Sequence, residues 1–126
     1  EKRMDFPHLG QVSIEDDVRI GPGSCVVRGL LKDTRIRRGS RLGNLVNVGH
    51  NCDIGEDCWI SSNTVLCGSV VLEPNVMIGA SATINNHVRI GQSAQIGLGS
   101  VVTKNVNADT GVFGVPAKRI RAMRKF

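Results

Sequence analysis

Residues 36 to 66 read IRRGSRLGNLVNVGHNCDIGEDCWISSNTVL, and an aliphatic residue returns at every sixth position of this stretch. The same grid continues without a slip to Val102, and it begins before Ile36, ahead of one ten-residue step. A six-residue period of this length predicts a parallel β-helix built from hexapeptides. The fifteen aliphatic grid positions are Ile14, Ile20, Val26, Ile36, Leu42, Val48, Ile54, Ile60, Leu66, Leu72, Ile78, Ile84, Ile90, Ile96 and Val102.

Each hexad carries two further regularities besides the aliphatic residue at its first position. The fifth position is always small, β-branched or aliphatic, and the second position is often glycine. Short strands separated by turns produce this kind of pattern. We therefore expect large side chains to enter the interior from position one and smaller side chains from position five.

The ten-residue step divides the first three hexads from the rest of the repeat. Residues 29 to 34 are predicted to leave the grid as a loop at one corner, either for a functional purpose or as a tolerated insertion. The grid ends after Val106, in a turn-rich exit. We therefore assign residues 1–107 to the repeat domain and residues 108–126 to a C-terminal tail.

The tail is basic, and its pattern predicts one short helix. Pro116 suits the first turn of a helix, and Ile120, Met123 and Phe126 recur every third residue as an apolar stripe. The formal net charge of the chain is +5, and the last nine residues include Lys118, Arg119, Arg121, Arg124 and Lys125. Such a tail is either a solvated end or a contact for phosphates or an acidic carrier protein.

Composition disfavours several classes of protein. No aromatic-rich RNA-binding signature is present, so a nucleic acid partner is not expected. No apolar run approaches membrane-spanning length, and residues 1–10 show no signal peptide. The four cysteines form no Cys-x-x-Cys pair, and free thiols suit a reducing cytoplasm.

Residues 44–51 read NLVNVGHN and are followed by Ile54-Gly55. This stretch resembles the UDP-acylglucosamine N-acyltransferases of lipid A synthesis, which are hexapeptide-repeat acyltransferases. The similarity covers roughly residues 6–106. Further matches to the same family are Phe6-Pro7-His8, Arg28-Gly29 with the ten-residue step, Gly68-Ser69 and Ile84-Asn85-Asn86-His87. The tail sequence GVPAKR at 114–119 resembles instead the endings of acetyl-CoA-dependent sugar N-acetyltransferases of the same fold.

The resemblance implies an all-β, left-handed parallel β-helix of three-sided coils. Three hexads then form one coil, fifteen hexads form about five coils, and residues 18 apart stack on one another. His50 is expected to stack with Gly68 and Asn86 on one edge of the prism, with His87 beside them. The resemblance also implies a homotrimer with this edge in the cleft between parallel subunits.

The resemblance further assigns chemistry to this edge. His50 matches the general base, and Gly68 matches the glycine whose amide stabilises the oxyanion. His87, with Asn86 beside it, matches the donor-binding side, and the tail likeness places Lys118 and Arg119 near coenzyme A phosphates. The implied reaction moves an acyl group from acyl-CoA or an acyl carrier protein to the amino group of a sugar or nucleotide sugar. It needs no tightly bound cofactor and no metal.

Departures from these families leave alternatives open. Gly43 stands where the lipid A family usually has Asp, and Asn51 follows the base where many sugar acetyltransferases have an acid, so no acid that tunes His50 is identified. Both families have an N-terminal domain that this chain lacks, so either the acceptor differs or a domain has been removed. The alternatives are an O-acetyltransferase acting on a small acceptor and a non-catalytic assembly scaffold. A zinc hydratase of this fold is disfavoured because Gln92 stands where a third ligand is needed, five residues after His87.

Overall fold

The computed structural model describes residues 2–121, which form a β-solenoid of very short strands with no helix among them. Consequently, no helical segment in this part of the chain could cross a membrane. The strands are β1 Val12–Ile14, β2 Arg19–Ile20, β3 Cys25–Val26, β4 Thr34–Ile36, β5 Arg41–Leu42, β6 Asn47–Val48, β7 Asp53–Ile54, β8 Trp59–Ile60, β9 Val65–Leu66, β10 Val71–Leu72, β11 Met77–Ile78, β12 Thr83–Ile84, β13 Arg89–Ile90, β14 Gln95–Ile96, β15 Val101–Val102, β16 Gly111–Phe113 and β17 Lys118–Ile120.

The strands form three sheets around one interior, and successive strands enter the three sheets in turn. Sheet A contains β1, β4, β7, β10 and β13, and sheet C contains β3, β6, β9, β12 and β15. Sheet B contains β2, β5, β8, β11, β14, β16 and β17. Ile54 pairs with Leu72, and Leu72 pairs with Ile90, so the register advances by 18 residues per coil. This spacing confirms three hexads per coil.

The solenoid has five complete coils and the beginning of a sixth, where about five coils were predicted. Val106 bridges Ile90 in parallel, and Val112 of β16 pairs with Ile96 of β14. The hexad grid does not reveal this extra layer because Val112 lies ten residues after Val102. The exposed end of sheet B nevertheless offers backbone groups that a further strand can pair with.

The predicted short C-terminal helix is wrong for the residues that the structure describes. Lys118–Ile120 form β17, which runs antiparallel to β16 and pairs Ile120 with Gly111. The chain reverses through Gly114, whose φ of 108° favours glycine. A strand is preferred here because β16 would otherwise leave an open row of unpaired backbone groups. Met123 and Phe126 of the proposed apolar stripe lie outside the described residues.

The interior contains the residues that the hexad pattern assigns to it. Every grid position from Ile36 to Val102 is at most 4% exposed, and the fifth positions from Ser40 to Ser100 are buried with them. The buried hydroxyl of Ser40 donates to the Gly55 carbonyl at 2.6 Å, so this polar group is satisfied inside the prism. The first coil is less covered because no coil formed by residues 2–121 stacks on its outer side, and Ile14 is 50% exposed.

Two buried thiols predict a loss of stability at high pH. Burial raises the pKa of Cys52 and Cys58 to about 11, from an ordinary value of 9.0. Because the pKa of each thiol is higher in the folded state than in the unfolded state, its contribution to folding stability is fully present below about pH 9. That contribution is lost as the pH rises toward about 11. We expect the free energy of unfolding to fall by about 2–3 kcal/mol per thiol across this window. Urea unfolding at about pH 8 and about pH 11 measures the loss.

The control for this experiment uses the residue that other hexads place at the same position. Cys52→Val and Cys58→Val should remove much of the alkaline loss, because Val46, Val70 and Val76 fill equivalent buried positions. Cys25→Ala should leave the loss unchanged, because Cys25 is exposed. An equal alkaline loss in the valine variants and in the Cys25 variant would contradict this account.

Candidate active site

The corner between sheets C and A contains the column of residues that the 18-residue spacing predicts. Val48, Leu66 and Ile84 pair in register across β6, β9 and β12. Two residues beyond each of them, the chain turns toward sheet A at His50, Gly68 and Asn86, and the following residues are Asn51, Ser69 and His87. We call these six residues the histidine edge. The structure thus brings together four of the six predicted site residues.

The turns of the histidine edge hold the column in place through backbone hydrogen bonds. Asn51, Ser69 and His87 adopt left-handed conformations, with φ of 60°, 61° and 62°. The Ser69 N–H donates to the His50 carbonyl at 2.8 Å, and the His87 N–H donates to the Gly68 carbonyl at 3.1 Å. Within residues 2–121 the Gly68 N–H donates to no backbone carbonyl. That amide therefore has no backbone acceptor in this part of the chain.

The imidazole of His50 lies directly against Gly68. A Cβ atom built at Gly68 would lie 2.5 Å from both Cε1 and Nε2 of His50. Carbon atoms do not approach ring atoms this closely, so only glycine admits the ring in its present position. The ring also covers the glycine backbone, which is buried. The lack of a side chain at Gly68 therefore leaves the space that the His50 ring occupies, a role that the sequence pattern did not predict.

No carboxylate among the described residues bonds to the second ring nitrogen of His50. Nδ1 is buried and has no hydrogen-bond partner among the described residues. For Nε2 to accept a proton, Nδ1 must hold the ring hydrogen, and an unpaired buried donor costs about 1–3 kcal/mol. The absence of a partner agrees with the sequence, in which neither Gly43 nor Asn51 supplies an acid.

The inserted loop at residues 29–34 packs against the histidine edge. The Asn51 side-chain oxygen accepts the Leu30 N–H at 2.8 Å. The Thr34 hydroxyl accepts the Asn51 N–H at 2.9 Å and donates to the Val27 carbonyl at 2.6 Å. Asn51 therefore fixes the loop, and sequence reasoning missed this role. The only signal in the sequence was that Asn51, a residue type that tolerates left-handed turns, lies one coil after the ten-residue step.

A groove of about 780 Å³ lies beside the histidine edge, over the outer face of sheet A. Its walls include residues of the inserted loop, of β4 and β7, and of the histidine edge; His50 itself does not line it. The lining residues that matter for its chemistry are Lys32, Arg35, Arg37, Asn51, Ser69 and His87. Sequence reasoning identified His87 alone among these six as a site residue.

Charges in the groove are only partly paired. Arg37 binds Asp53 through two hydrogen bonds, Nε to Oδ1 at 2.9 Å and Nη2 to Oδ2 at 3.0 Å. These bonds raise the pKa of Arg37 above its ordinary value. Neither Lys32 nor Arg35 forms an ion pair within residues 2–121. In the same part of the chain, no cluster of three His, Cys, Asp or Glu side chains could hold a metal ion.

The remaining two predicted site residues lie elsewhere. Lys118 and Arg119 belong to β17, at the last edge of sheet B, and both are exposed. Arg119 lines a separate groove of about 250 Å³ together with Asp109 and Thr110. The structure of the single chain therefore does not bring these two cations to the histidine edge.

Comparison with known proteins identifies the repeat and its relatives. Residues 51–86 match the family model described as bacterial transferase hexapeptide (six repeats), and residues 69–104 match the hexapeptide repeat of succinyl-transferase. The UDP-3-O-acylglucosamine N-acyltransferase of Rhodopseudomonas palustris (strain HaA2) is 61% identical over 116 residues, which cover 90% of this chain and 32% of that protein. The chain spans about a third of the length of the curated relatives that it matches.

Solved structures show the same architecture. The Arabidopsis UDP-N-acetylglucosamine acyltransferase matches with a TM-score of 0.86 and 27% identity, over 91% of this chain and 41% of that one. PerB from Caulobacter crescentus, solved in complex with CoA and GDP-perosamine, matches with a TM-score of 0.60 and 27% identity, over 87% of this chain and 54% of that one. The chain is therefore a hexapeptide-repeat β-solenoid protein whose sequence relatives are UDP-3-O-acylglucosamine N-acyltransferases, as the resemblance predicted.

Proposed function

We propose that this chain transfers an acyl group from a thioester to the amino group of a sugar or nucleotide sugar. The observation that supports the proposal is the contact between the His50 imidazole and Gly68, whose N–H has no backbone partner within the described part of the chain. A base and an amide donor in contact at one edge of the prism are the two groups that acyl transfer from a thioester requires. The N-acyltransferase relatives support the same reaction class.

The mechanism uses His50 first as a base and then as an acid. The Nε2 atom takes a proton from the acceptor amine while the amine nitrogen attacks the thioester carbonyl carbon. The carbonyl oxygen becomes negatively charged, and the Gly68 N–H donates to it. The intermediate then collapses, the carbon–sulfur bond breaks, and the imidazolium returns its proton to the thiolate. Each proton is accounted for, and no covalent enzyme intermediate is needed.

Further proposals concern the two substrates. His87 and Asn86 follow Gly68 by one coil and are placed to contact the donor, which is an acyl-CoA or an acyl carrier protein. Lys118 and Arg119 would bind the phosphates of a coenzyme A donor through charge-assisted hydrogen bonds. The complex of PerB with CoA and GDP-perosamine supports a coenzyme A thioester and a nucleotide-linked amino sugar. The four free cysteines favour a cytoplasmic location.

The test of the proposed function is a transfer assay. Acetyl-CoA, longer acyl-CoA thioesters and an acyl carrier protein are each offered with amino sugars and nucleotide-linked amino sugars, and products are identified by mass spectrometry. Formation of an amide supports the proposal, and an ester product would favour the O-acetyltransferase alternative. If every pair fails with the intact, folded chain, the proposal is overturned in favour of the non-catalytic scaffold.

We also propose that the protein is a homotrimer, and one face of the prism supports this assembly. The strand residue immediately before each aliphatic grid residue faces outward, and in sheet C these positions carry no charge. In sheets A and B the same positions include Arg35, Arg89, Arg19 and Arg41. The outward residues of sheet C are Cys25, Asn47, Val65, Thr83 and Val101. An uncharged face packs against partner subunits without the cost of burying a charge.

Val65→Arg is expected to dissociate the trimer, because it buries an unpaired guanidinium at the middle of the sheet C face. Sedimentation at micromolar protein concentration measures the oligomeric state. Met77→Arg is the matched control, because Met77 holds the corresponding half-buried position in sheet B and should leave the trimer intact. A trimeric Val65→Arg variant, or a wild-type monomer, would show that the sheet C face is not the interface.

A further inference from the structure

We propose that the groove beside the histidine edge binds a phosphate group of a substrate, with Arg35 and Lys32 as its ligands. This assignment rests on the proposed function, because it gives a ligand to a groove of that site. The groove has about 780 Å³ of space and opens beside His87. It is therefore large enough for a substrate fragment and close enough to the histidine edge to orient one.

Arg35 lies at a fixed strand position in the wall of the groove. It pairs in register with Asp53 of β7, and Asp53 pairs with Val71 of β10, so these three side chains form a row across sheet A. The row spans two strand spacings, or about 10 Å along the prism. Arg35 is half-buried on a strand between two buried residues, so its backbone is fixed and the residue is partly shielded from water. Both features strengthen a charged hydrogen bond.

The charge balance of the groove favours an anion. Three cations and two carboxylates line it, which leaves one net positive charge with His87 neutral. Both carboxylates already accept hydrogen bonds: Asp53 from Arg37, and Asp33 from the Gln11 N–H at 3.0 Å. Of the three cations that line the groove, Lys32 and Arg35 have no ion-pair partner among residues 2–121. An incoming anion therefore meets unpaired donors rather than competing for paired ones.

The number of donors favours phosphate over carboxylate. One guanidinium satisfies both oxygens of a carboxylate, whereas a phosphate group presents additional oxygens that need further donors. Lys32 and the Ser69 hydroxyl, which also line the groove, can supply them. By contrast, the exposed Arg41 of sheet B lies over the Trp59 ring at 5.7 Å from its centroid and does not line this groove.

Two substrate parts carry this chemistry. One is the diphosphate of a nucleotide-linked acceptor, and the other is the phosphate-bearing end of a coenzyme A donor. Titration calorimetry with pyrophosphate alone, uridine diphosphate and coenzyme A separates these sources. The titrations use the whole chain and need no catalysis, so their outcome does not depend on acyl transfer.

Arg35→Ala is expected to weaken pyrophosphate binding by about tenfold or more, because a charge-assisted pair is lost. Lys32→Ala should cause a smaller loss, because the Lys32 side chain is exposed and its charge is better screened. The matched control is Arg19→Ala, which removes the same charge from an outward strand position in sheet B. Circular dichroism and the melting temperature verify that each variant is folded.

The outcomes separate the hypotheses. If Arg35→Ala weakens the binding of uridine diphosphate as well as that of pyrophosphate, the groove is assigned to the acceptor. If it weakens the binding of coenzyme A as well as that of pyrophosphate, the groove is assigned to the donor. Either result supports a phosphate site. Equal pyrophosphate affinity in Arg35→Ala and Arg19→Ala overturns it, as does undetectable wild-type binding of all three ligands. If Arg35→Ala weakens the binding of pyrophosphate but not that of uridine diphosphate or coenzyme A, a substrate role for the groove is also overturned. If Arg35-dependent binding persists but no acyl transfer is found, only the proposed function fails.

Discussion

His50→Ala is expected to lower acyl transfer by about 10²–10⁴-fold, the usual contribution of a positioned base. The loss should appear in kcat, because the imidazole acts on the proton that moves during reaction. Folding should be unaffected or slightly improved, because the variant removes the buried, unpaired Nδ1 atom. The measurements are steady-state kinetics on the substrate pair found in the transfer assay, and the melting temperature.

The other histidines provide the control for His50. His87→Ala should raise KM for the donor more than it lowers kcat, because His87 lies one coil beyond Gly68 and lines the groove. His8→Ala should leave both constants nearly unchanged, because His8 precedes the first strand. Wild-type turnover in His50→Ala on a verified substrate would exclude His50 as the base and remove the mechanism proposed above.

Most of the fold could be predicted from the hexad period, because the position of a residue within its own hexad decides whether its side chain points inward. Ile36, Leu42 and Val48 each precede their stacking partner by 18 residues, and the observed register follows from that spacing. The tail could not be predicted in the same way. β17 forms because β16 leaves a sheet edge to be paired, and this requirement arises only after the solenoid has been assembled.

The candidate site, like the fold, could be predicted only in part. The column of His50, Gly68 and Asn86 was predicted from the spacing, because stacking depends only on the period. The groove was not, because its walls combine the inserted loop, sheet A and the histidine edge, which are separate in sequence. The close contact between the His50 ring and Gly68 was also missed, since it depends on the direction in which a side chain folds over its neighbour.

Gly68→Ala is expected to lower acyl transfer by about 10²-fold or more, since a small displacement of a catalytic group can cost this much. The alanine Cβ would lie 2.5 Å from His50 Nε2 and Cε1, so the ring must move away from its present position. Nothing else forbids alanine here, because Gly68 has no left-handed φ. The variant therefore tests the ring contact rather than backbone strain.

A double-mutant cycle isolates this contact from general destabilisation. Gly68→Ala should lower the free energy of unfolding in the wild-type background, where the methyl group meets the imidazole, and much less in the His50→Ala background, where the ring is absent. Urea unfolding of the four proteins gives the interaction energy, and kinetics of the Gly68→Ala variant give the catalytic cost. An interaction energy near zero would mean that the ring does not rest on Gly68. Wild-type turnover with a large interaction energy would mean that the ring rests there without serving catalysis.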